Sequence, residues 1–228
     1  MSARRPPCPF TLIVFDWDGT LMDSAGAITR AIQAASRDLG MEPPTDAAAR
    51  KVIGLGLTEA LQAATPNLPP SLYPKIMERY RHHYLRADHD ITLFPGIAPL
   101  LDALAEAGLT LAVATGKSRL GLARALEQTG LNARFSATRC ADECASKPDP
   151  QMLHELMEEL GGDPRHTLMI GDTTHDLEMA KRAGCAALAV TYGAHPREAL
   201  AEYAPMALLH SVPELSDWFF RRREGFAR

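Results

Sequence analysis

Phe10-Thr11-Leu12-Ile13-Val14-Phe15-Asp16-Trp17-Asp18-Gly19-Thr20-Leu21 is a short apolar run that stops at a carboxylate. Such a run reads as a strand buried on both faces, the kind found inside parallel sheets. Three comparable runs follow, Leu109 to Ala114, Thr167 to Ile170 and Ala186 to Val190, with Met206 to Leu209 as a possible edge strand. Helix-like sequence, such as Ile97 to Ala107 and Pro150 to Leu160, precedes them. Strands alternating with helices predict right-handed crossovers and a parallel α/β sheet with helices on both faces.

The stretch between the first two strands is different. Ala27 to Leu39, Ala47 to Ile53, Thr58 to Ala64 and Leu72 to Leu85 are periodic at helical spacing. Breaks fall at Pro43-Pro44, Gly54-Leu55-Gly56 and Pro66 to Pro70. This reads as a helical cap over residues 23–92, inserted into a core formed by residues 1–22 and 93–228. The chain re-enters the core near Phe94-Pro95-Gly96.

Polar residues cluster just past the strands, where ligands bind in open α/β sheets. Four constellations stand out. Asp16-Trp17-Asp18-Gly19 places two carboxylates around one residue, with a glycine for the turn. Alone it could be a calcium loop, but the twelfth position from Asp16 is Ala27, where an EF-hand needs Glu. Thr115-Gly116-Lys117-Ser118 ends a strand in a hydroxyl, and a helix begins around Ser118. Backbone N–H groups at a helix start suit phosphate oxygens, although Ser or Thr there is commonly only a cap. In Ser146-Lys147-Pro148-Asp149-Pro150 the two prolines limit how Lys147 leaves the chain; a lone lysine is ordinarily solvated. Asp172 and Asp176, four apart after an apolar strand, either cap a helix or face one site together.

Composition removes several classes. The 228 residues carry a net charge of −4, with 46% hydrophobic and 23% charged residues, an ordinary globular balance without a field for nucleic acid. Arg221-Arg222-Arg223 reads as the solvated end of a packed helix. Arg4 and Arg5 precede an apolar run too short for a signal peptide. No stretch approaches the ~20 apolar residues of a membrane span. Cys8, Cys140, Cys144 and Cys185 form no Cys-x-x-Cys pair, so reduced thiols in a cytoplasmic protein are expected, and two ligands do not make a zinc site.

Taken together and in this order, the four constellations resemble the haloacid dehalogenase superfamily of phosphohydrolases, from Phe10 to about Ser211. The insert's position looks like the subgroup with a cap between the first and second motifs. The Thr115-Gly116-Lys117-Ser118 stretch and Gly54-Leu55-Gly56 make the chain similar to phosphoglycolate phosphatases. The resemblance implies a Rossmann-like core, Asp16 as nucleophile and Asp18 as general acid and base. It implies that Thr115, Gly116 and Lys147 bind the phosphoryl group. Asp16, Asp172 and the backbone carbonyl of Asp18 would hold Mg2+, with Asp176 and Thr173 supporting the metal shell. Trp17 departs from the Leu, Met or Phe often seen between the aspartates. Dehalogenases of the superfamily lack an aspartate at the position of Asp18, so its presence favours phosphoryl transfer to or from oxygen.

Elementary electrostatics agrees. Two carboxylates ~4 Å apart repel by about 4 kcal/mol at an effective dielectric of ~20, so several need a divalent cation and a lysine to coexist. A small phosphorylated metabolite is the expected partner, phosphoglycolate-like, with Arg50 and Lys51 as possible readers of a substrate carboxylate. A phosphosugar mutase of the same superfamily is the alternative, and a silent binding module a remoter one. His82 and His83 read as a solvated face, His175 as an outer support of the metal motif, and the assembly as monomer or homodimer.

Overall fold

The computed structural model describes residues 9–87 and 90–221. Arg4, Arg5, Cys8, Arg222 and Arg223, named above, lie outside the described residues. β1 (Leu12–Phe15) is followed by α1 (Ala25–Asp38), α2 (Asp46–Lys51), α3 (Leu57–Ala64) and α4 (Tyr73–Ala87). The chain continues through α5 (Ile97–Glu106), β2 (Thr110–Thr115), α6 (Arg119–Thr129), β3 (Ala137–Cys140) and α7 (Gln151–Leu160). Then come β4 (Thr167–Gly171), α8 (Thr174–Ala183), β5 (Ala186–Val190), α9 (Arg197–Ala201), β6 (Leu208–Leu209) and α10 (Val212–Phe220).

The six strands form one parallel sheet in the order β3-β2-β1-β4-β5-β6. β1 lies at its centre, which explains its unbroken apolar run. Ile13 and Phe15 pack into the core on one face, with Leu100, Leu104 and Phe219 from α5 and α10. Leu12 and Val14 pack on the other, with Met152, Leu156 and Met179 from α7 and α8. β3 is the strand that sequence reading did not anticipate. It is an edge strand of composition Ala-Thr-Arg-Cys, with Thr138 and Arg139 only half-buried, so it carries no apolar run to detect. The expected edge strand at Met206 to Leu209 contracts to β6.

The helices α1–α4 bury a separate apolar cluster, with Ile28 and Ile32 of α1, Leu61 of α3 and Ile76 of α4 at its centre. Ala194 is the buried member of that cluster drawn from the far part of the chain. The two chain crossings between sheet and insert run side by side. The Asp23 N–H donates to the Thr92 carbonyl at 2.9 Å and the Phe94 N–H to the Leu21 carbonyl at 3.0 Å.

Leu61 is fully buried in the insert's cluster. Leu61→Ala is expected to cost about 2–5 kcal/mol in urea unfolding. Hydrogen exchange should rise across α1–α4 and leave β1, β2 and β4 protected. An equal rise throughout the sheet would show that the cluster is not an independent packing unit.

Candidate active site

Register assembles the site. In β1, Phe15 lies opposite Val113 of β2 and Ile170 of β4. The residues just past these strands, Asp16 and Asp172, are therefore neighbours at the carboxyl edge, with Thr115 closing β2 beside them. Asp176 reaches the same place from the first turn of α8. Thr173 caps that helix, and its side chain accepts from the Asp176 N–H while the Asp176 carboxylate accepts from the Thr173 N–H at 3.0 Å. Asp16, Asp172 and Asp176 are all buried, and one carboxylate oxygen from each lies within 4.8 Å of the others.

Lys147 is the cation inside this cluster. Its Nζ donates to Asp16 Oδ1 at 2.6 Å and to Asp176 Oδ1 at 2.7 Å, and it is buried with them. The ordinary solvated state of a lone lysine does not hold here, because two carboxylates meet the ammonium. Burial alone would push Lys147 down, but Asp16 and Asp176 outweigh it and hold it above the ordinary lysine range. The other carboxylate oxygens are mostly satisfied by the protein. Asp172 Oδ1 accepts from the Thr20 hydroxyl at 2.8 Å and Oδ2 from the Ala194 N–H at 2.6 Å. The Thr173 hydroxyl donates to Asp176 Oδ2 at 2.7 Å. Asp16 Oδ2 is buried and accepts no hydrogen bond.

The acids pay for this crowding in their protonation. Burial raises Asp16 well above the ordinary carboxylate range, Lys147 opposes the rise, and Asp176 and Asp172 add to it. Burial, and then Asp176, push Asp172 up to about 7. A buried carboxylate oxygen without a hydrogen bond, oxygen ligands only and three crowded acids are what a divalent cation such as magnesium relieves. The donor set therefore fits the cation that the sequence implies. Gly19 takes a left-handed φ of 84°, and a Cβ there would collide with the Asp172 carboxylate.

Asp18 sits apart from that cluster. Its Oδ1 accepts from the Ser24 hydroxyl at 2.6 Å and pairs with Lys117 Nζ at 3.0 Å. Lys117 also donates to the Tyr84 hydroxyl of α4 at 2.9 Å. Burial would lower Lys117, but Asp18 and Tyr84 outweigh it and raise it. The buried Thr115 hydroxyl accepts from the Lys117 N–H at 3.1 Å. Gly116 lies against the insert: a Cβ there would meet the Leu55 and Gly54 carbonyls at 2.5 and 2.6 Å. Trp17 faces the core, where its Nε1 donates to Met22 Sδ at 3.1 Å.

The insert is tied over this edge mainly by its backbone. The Gly56 N–H donates to Ser146 Oγ at 2.7 Å, and Arg50 Nη1 donates to the Gly193 carbonyl at 3.3 Å. The Lys51 carbonyl accepts from Nε2 of His175 at 3.0 Å and of His195 at 3.2 Å. The Thr174 N–H donates to His195 Nδ1 at 3.1 Å, which puts the ring proton on Nε2. Burial, helped by His175, pushes His195 down to about 4 and keeps it neutral. Thr20, Ser24, Tyr84, Ser146, Ala194 and His195 were not singled out in the sequence. Thr20 and Ser146 had a signal, their places beside the first aspartate pair and beside Lys147; the others depend on contacts 21 or more residues apart or on backbone groups, except Ser24, six residues from Asp18.

A doubly wound parallel sheet with buried carboxylates at its strand ends, beneath a helical insert, defines a known class of hydrolase. The family model for haloacid dehalogenase-like hydrolases matches residues 13–190, and the chain belongs to that family. It is similar to a protein named probable phosphatase IndB from Dickeya dadantii strain 3937, with 36% identity over 90% of this chain and 91% of that one. A phosphoglycolate phosphatase from Agrobacterium fabrum strain C58 is 34% identical, over 83% of each chain. A haloacid dehalogenase-like family hydrolase from Streptococcus pneumoniae superposes with a TM-score of 0.80 at 25% identity, covering 92% of this chain and 99% of that one. These relatives place the chain among the family's phosphatases.

The raised acids yield a pH prediction. A carboxyl raised in the folded state contributes stability below its unfolded value, and that contribution is lost as pH rises through the folded value. For Asp172 the window runs from 3.8 to about 7. Without divalent cation, thermal stability is expected to fall from pH 5 to pH 7.5. Mg2+ at a hundredfold excess over its Kd should raise Tm by roughly 5–10 °C at pH 7.5. The gain should be smaller at pH 5, where protons compete. Differential scanning calorimetry at both pH values checks this; equal gains would count against it.

Proposed function

We propose that this chain is a magnesium-dependent phosphatase that hydrolyses a small phosphorylated metabolite through an aspartyl-phosphate on Asp16. The carrying observation is the buried Asp16 carboxylate, with Oδ1 fixed by Lys147 and Oδ2 free of hydrogen bonds. In this reading Asp16 attacks phosphorus, a new O–P bond forms, and the bond to the leaving oxygen breaks. Asp18 donates a proton to that oxygen. Asp18 then takes a proton from water, the water attacks phosphorus, and the bond to Asp16 breaks to release phosphate. Thr115, the Gly116 N–H and Lys147 hold the phosphoryl oxygens. Asp16, Asp172 and the backbone carbonyl of Asp18 would hold Mg2+, with Asp176 and Thr173 orienting the shell. Bound there, the ion supplies positive charge opposite the phosphoryl oxygens.

Residues 23–92 act as a cap over a core of 1–22 and 93–228 in this reading, hinged near Leu21 to Ser24 and between residues 90 and 96. The backbone-mediated contacts to Ser146 and Gly193 support a cap that docks and releases. The substrate belongs to the small phosphorylated metabolites, the class of the phosphoglycolate named in the relatives. A cytoplasmic location is supported by Cys140, Cys144 and Cys185 being free thiols and by the described helices, none of which is long and apolar enough to cross a membrane.

Asp16→Asn should abolish turnover, because an amide oxygen is a poor nucleophile. Asp18→Asn should lose roughly 10²–10⁴-fold in rate. With an activated aryl phosphate, whose departure needs little protonation, the Asp18→Asn variant should accumulate phosphate on Asp16. Rapid-quench intact mass spectrometry and peptide mapping would detect it; phosphate on Ser or His, or full activity in Asp16→Asn, overturns the mechanism.

The cap reading has its own measurement. Gly116→Val should press on the Gly54 and Leu55 carbonyls and hold the insert away from the core. Rate should fall roughly 10²-fold, the cost of about 1 Å of misplacement. Small-angle scattering should show expansion, with Tm little changed. An unaltered scattering profile together with full activity would sink the docking model.

A further inference from the structure

A cavity of about 510 Å³ lies between the insert and α6 and reaches the core at Asp18, Gly116 and Lys117. Most of its insert wall is apolar, with Ile28, Ile32, Val52, Leu57, Met77 and Tyr80 among its lining residues beside Glu59 and Arg81. Leu120 of α6 also lines it, 72% exposed, and so does Leu85 of α4, 45% exposed. These two exposed apolar side chains come from the insert and from the core and line the same space. The rings of Tyr80 and Tyr84 stack at 5.8 Å and 18° along α4.

Charge in the lining balances. Lys117, Arg81 and Arg124 face Asp18, Glu59 and Asp142 around the same space. Lys117 is already paired with Asp18. The cavity thus offers no net positive field for a second anionic group on the substrate, and Arg50 is turned to the Gly193 carbonyl.

Size points the same way. Phosphoglycolate keeps five of its nine non-hydrogen atoms in the phosphate, which the core would hold. Four atoms would remain for a space of about 510 Å³, on the order of 17 water volumes at ~30 Å³ each. Wetting the apolar walls around so small a body forfeits the burial that drives binding.

We propose that the substrate is a phosphate monoester with a largely apolar, ring-bearing body of roughly 10–20 non-hydrogen atoms, seated between α4 and α6. This rests on the phosphatase reading above and names its substrate class. Each methylene-sized group buried in such a pocket is worth roughly 10–200-fold in discrimination.

The test is kcat/KM with Mg2+ for phosphoglycolate, glucose 6-phosphate and 2-(2-naphthyl)ethyl phosphate, all esters of unactivated alcohols. The naphthylethyl ester is expected to exceed both others by at least ~100-fold. Leu120→Asp, on an exposed helix position, should cut that advantage at least tenfold through KM. Turnover of methyl phosphate should stay unchanged. Leu57→Trp, which fills the cavity, should do the same if it folds, as judged by circular dichroism. Phosphoglycolate or the hexose ester matching the naphthylethyl ester would overturn the proposal while leaving a phosphatase. An advantage unmoved by Leu120→Asp would overturn the assigned seat. Release of phosphate from none of the esters would overturn the phosphatase reading beneath it.

Discussion

Three buried carboxylates around one lysine are the constraint on which the rest of this structure depends. At separations within 4.8 Å, each pair of ionised acids repels by several kcal/mol at an effective dielectric of ~20. Lys147 bridges two of them, while hydroxyls and N–H groups from Thr20, Thr173 and Ala194 take up other lone pairs. Those partners come from four separate segments, so the cluster forms only once β1, β4 and the loops beyond them are in register. Burial, and then the neighbouring carboxylates, still raise Asp16 and Asp172 above the ordinary carboxylate range. Such a cluster is one whose ionised form a divalent cation would stabilise.

The insert solves a different problem. It buries an apolar cluster of its own, with Ala194 as a buried member from the far part of the chain. Its docking onto the strand ends uses single hydrogen bonds to Lys51, Gly56 and Gly193 backbone groups and a close approach at Gly116. Such contacts have definite geometry and modest net strength, about 1 kcal/mol each. Under the proposed cap reading, such contacts would specify one docked position and leave opening inexpensive.

What could be read from the sequence follows from how far each signal travels along the chain. Central strands announce themselves because burial on both faces demands continuous apolar residues, as in Leu12–Phe15. Edge strand β3 has no such demand, and Arg139 instead pairs with Glu155 and Glu159 of α7. Asp16, Asp172, Asp176 and Lys147 could be named as candidates because each sits beside a strand end or a proline-bounded turn. Their convergence could not be read from any one stretch: taken alone Lys147 reads as a solvated lysine, and only the family resemblance singled it out before the 131-residue contact to Asp16 was in view. Helix capping and site geometry were competing readings of Asp176, and the structure shows both. One oxygen accepts from the Thr173 N–H and the other from Lys147.

The two aspartates of Asp16-Trp17-Asp18 live in different environments, and that difference bears on mechanism. Asp16 has partners only from the core, so its position does not require the insert to be docked. Asp18 is held by Ser24, at the entry to the insert, and by Lys117, which in turn holds Tyr84 of α4. Trp17 separates them by burying its ring in the sheet's core, directing the neighbouring carboxylates away from that core. Parting the insert from the core would take Tyr84 from Lys117 and loosen the pair that fixes Asp18, while leaving Asp16 and Lys147 in place. Under the proposed mechanism the nucleophile is thus set by the sheet, and the proton-transfer group is set by the docked insert. Proton delivery to the leaving group is then complete only over an enclosed substrate, when bulk water is already excluded.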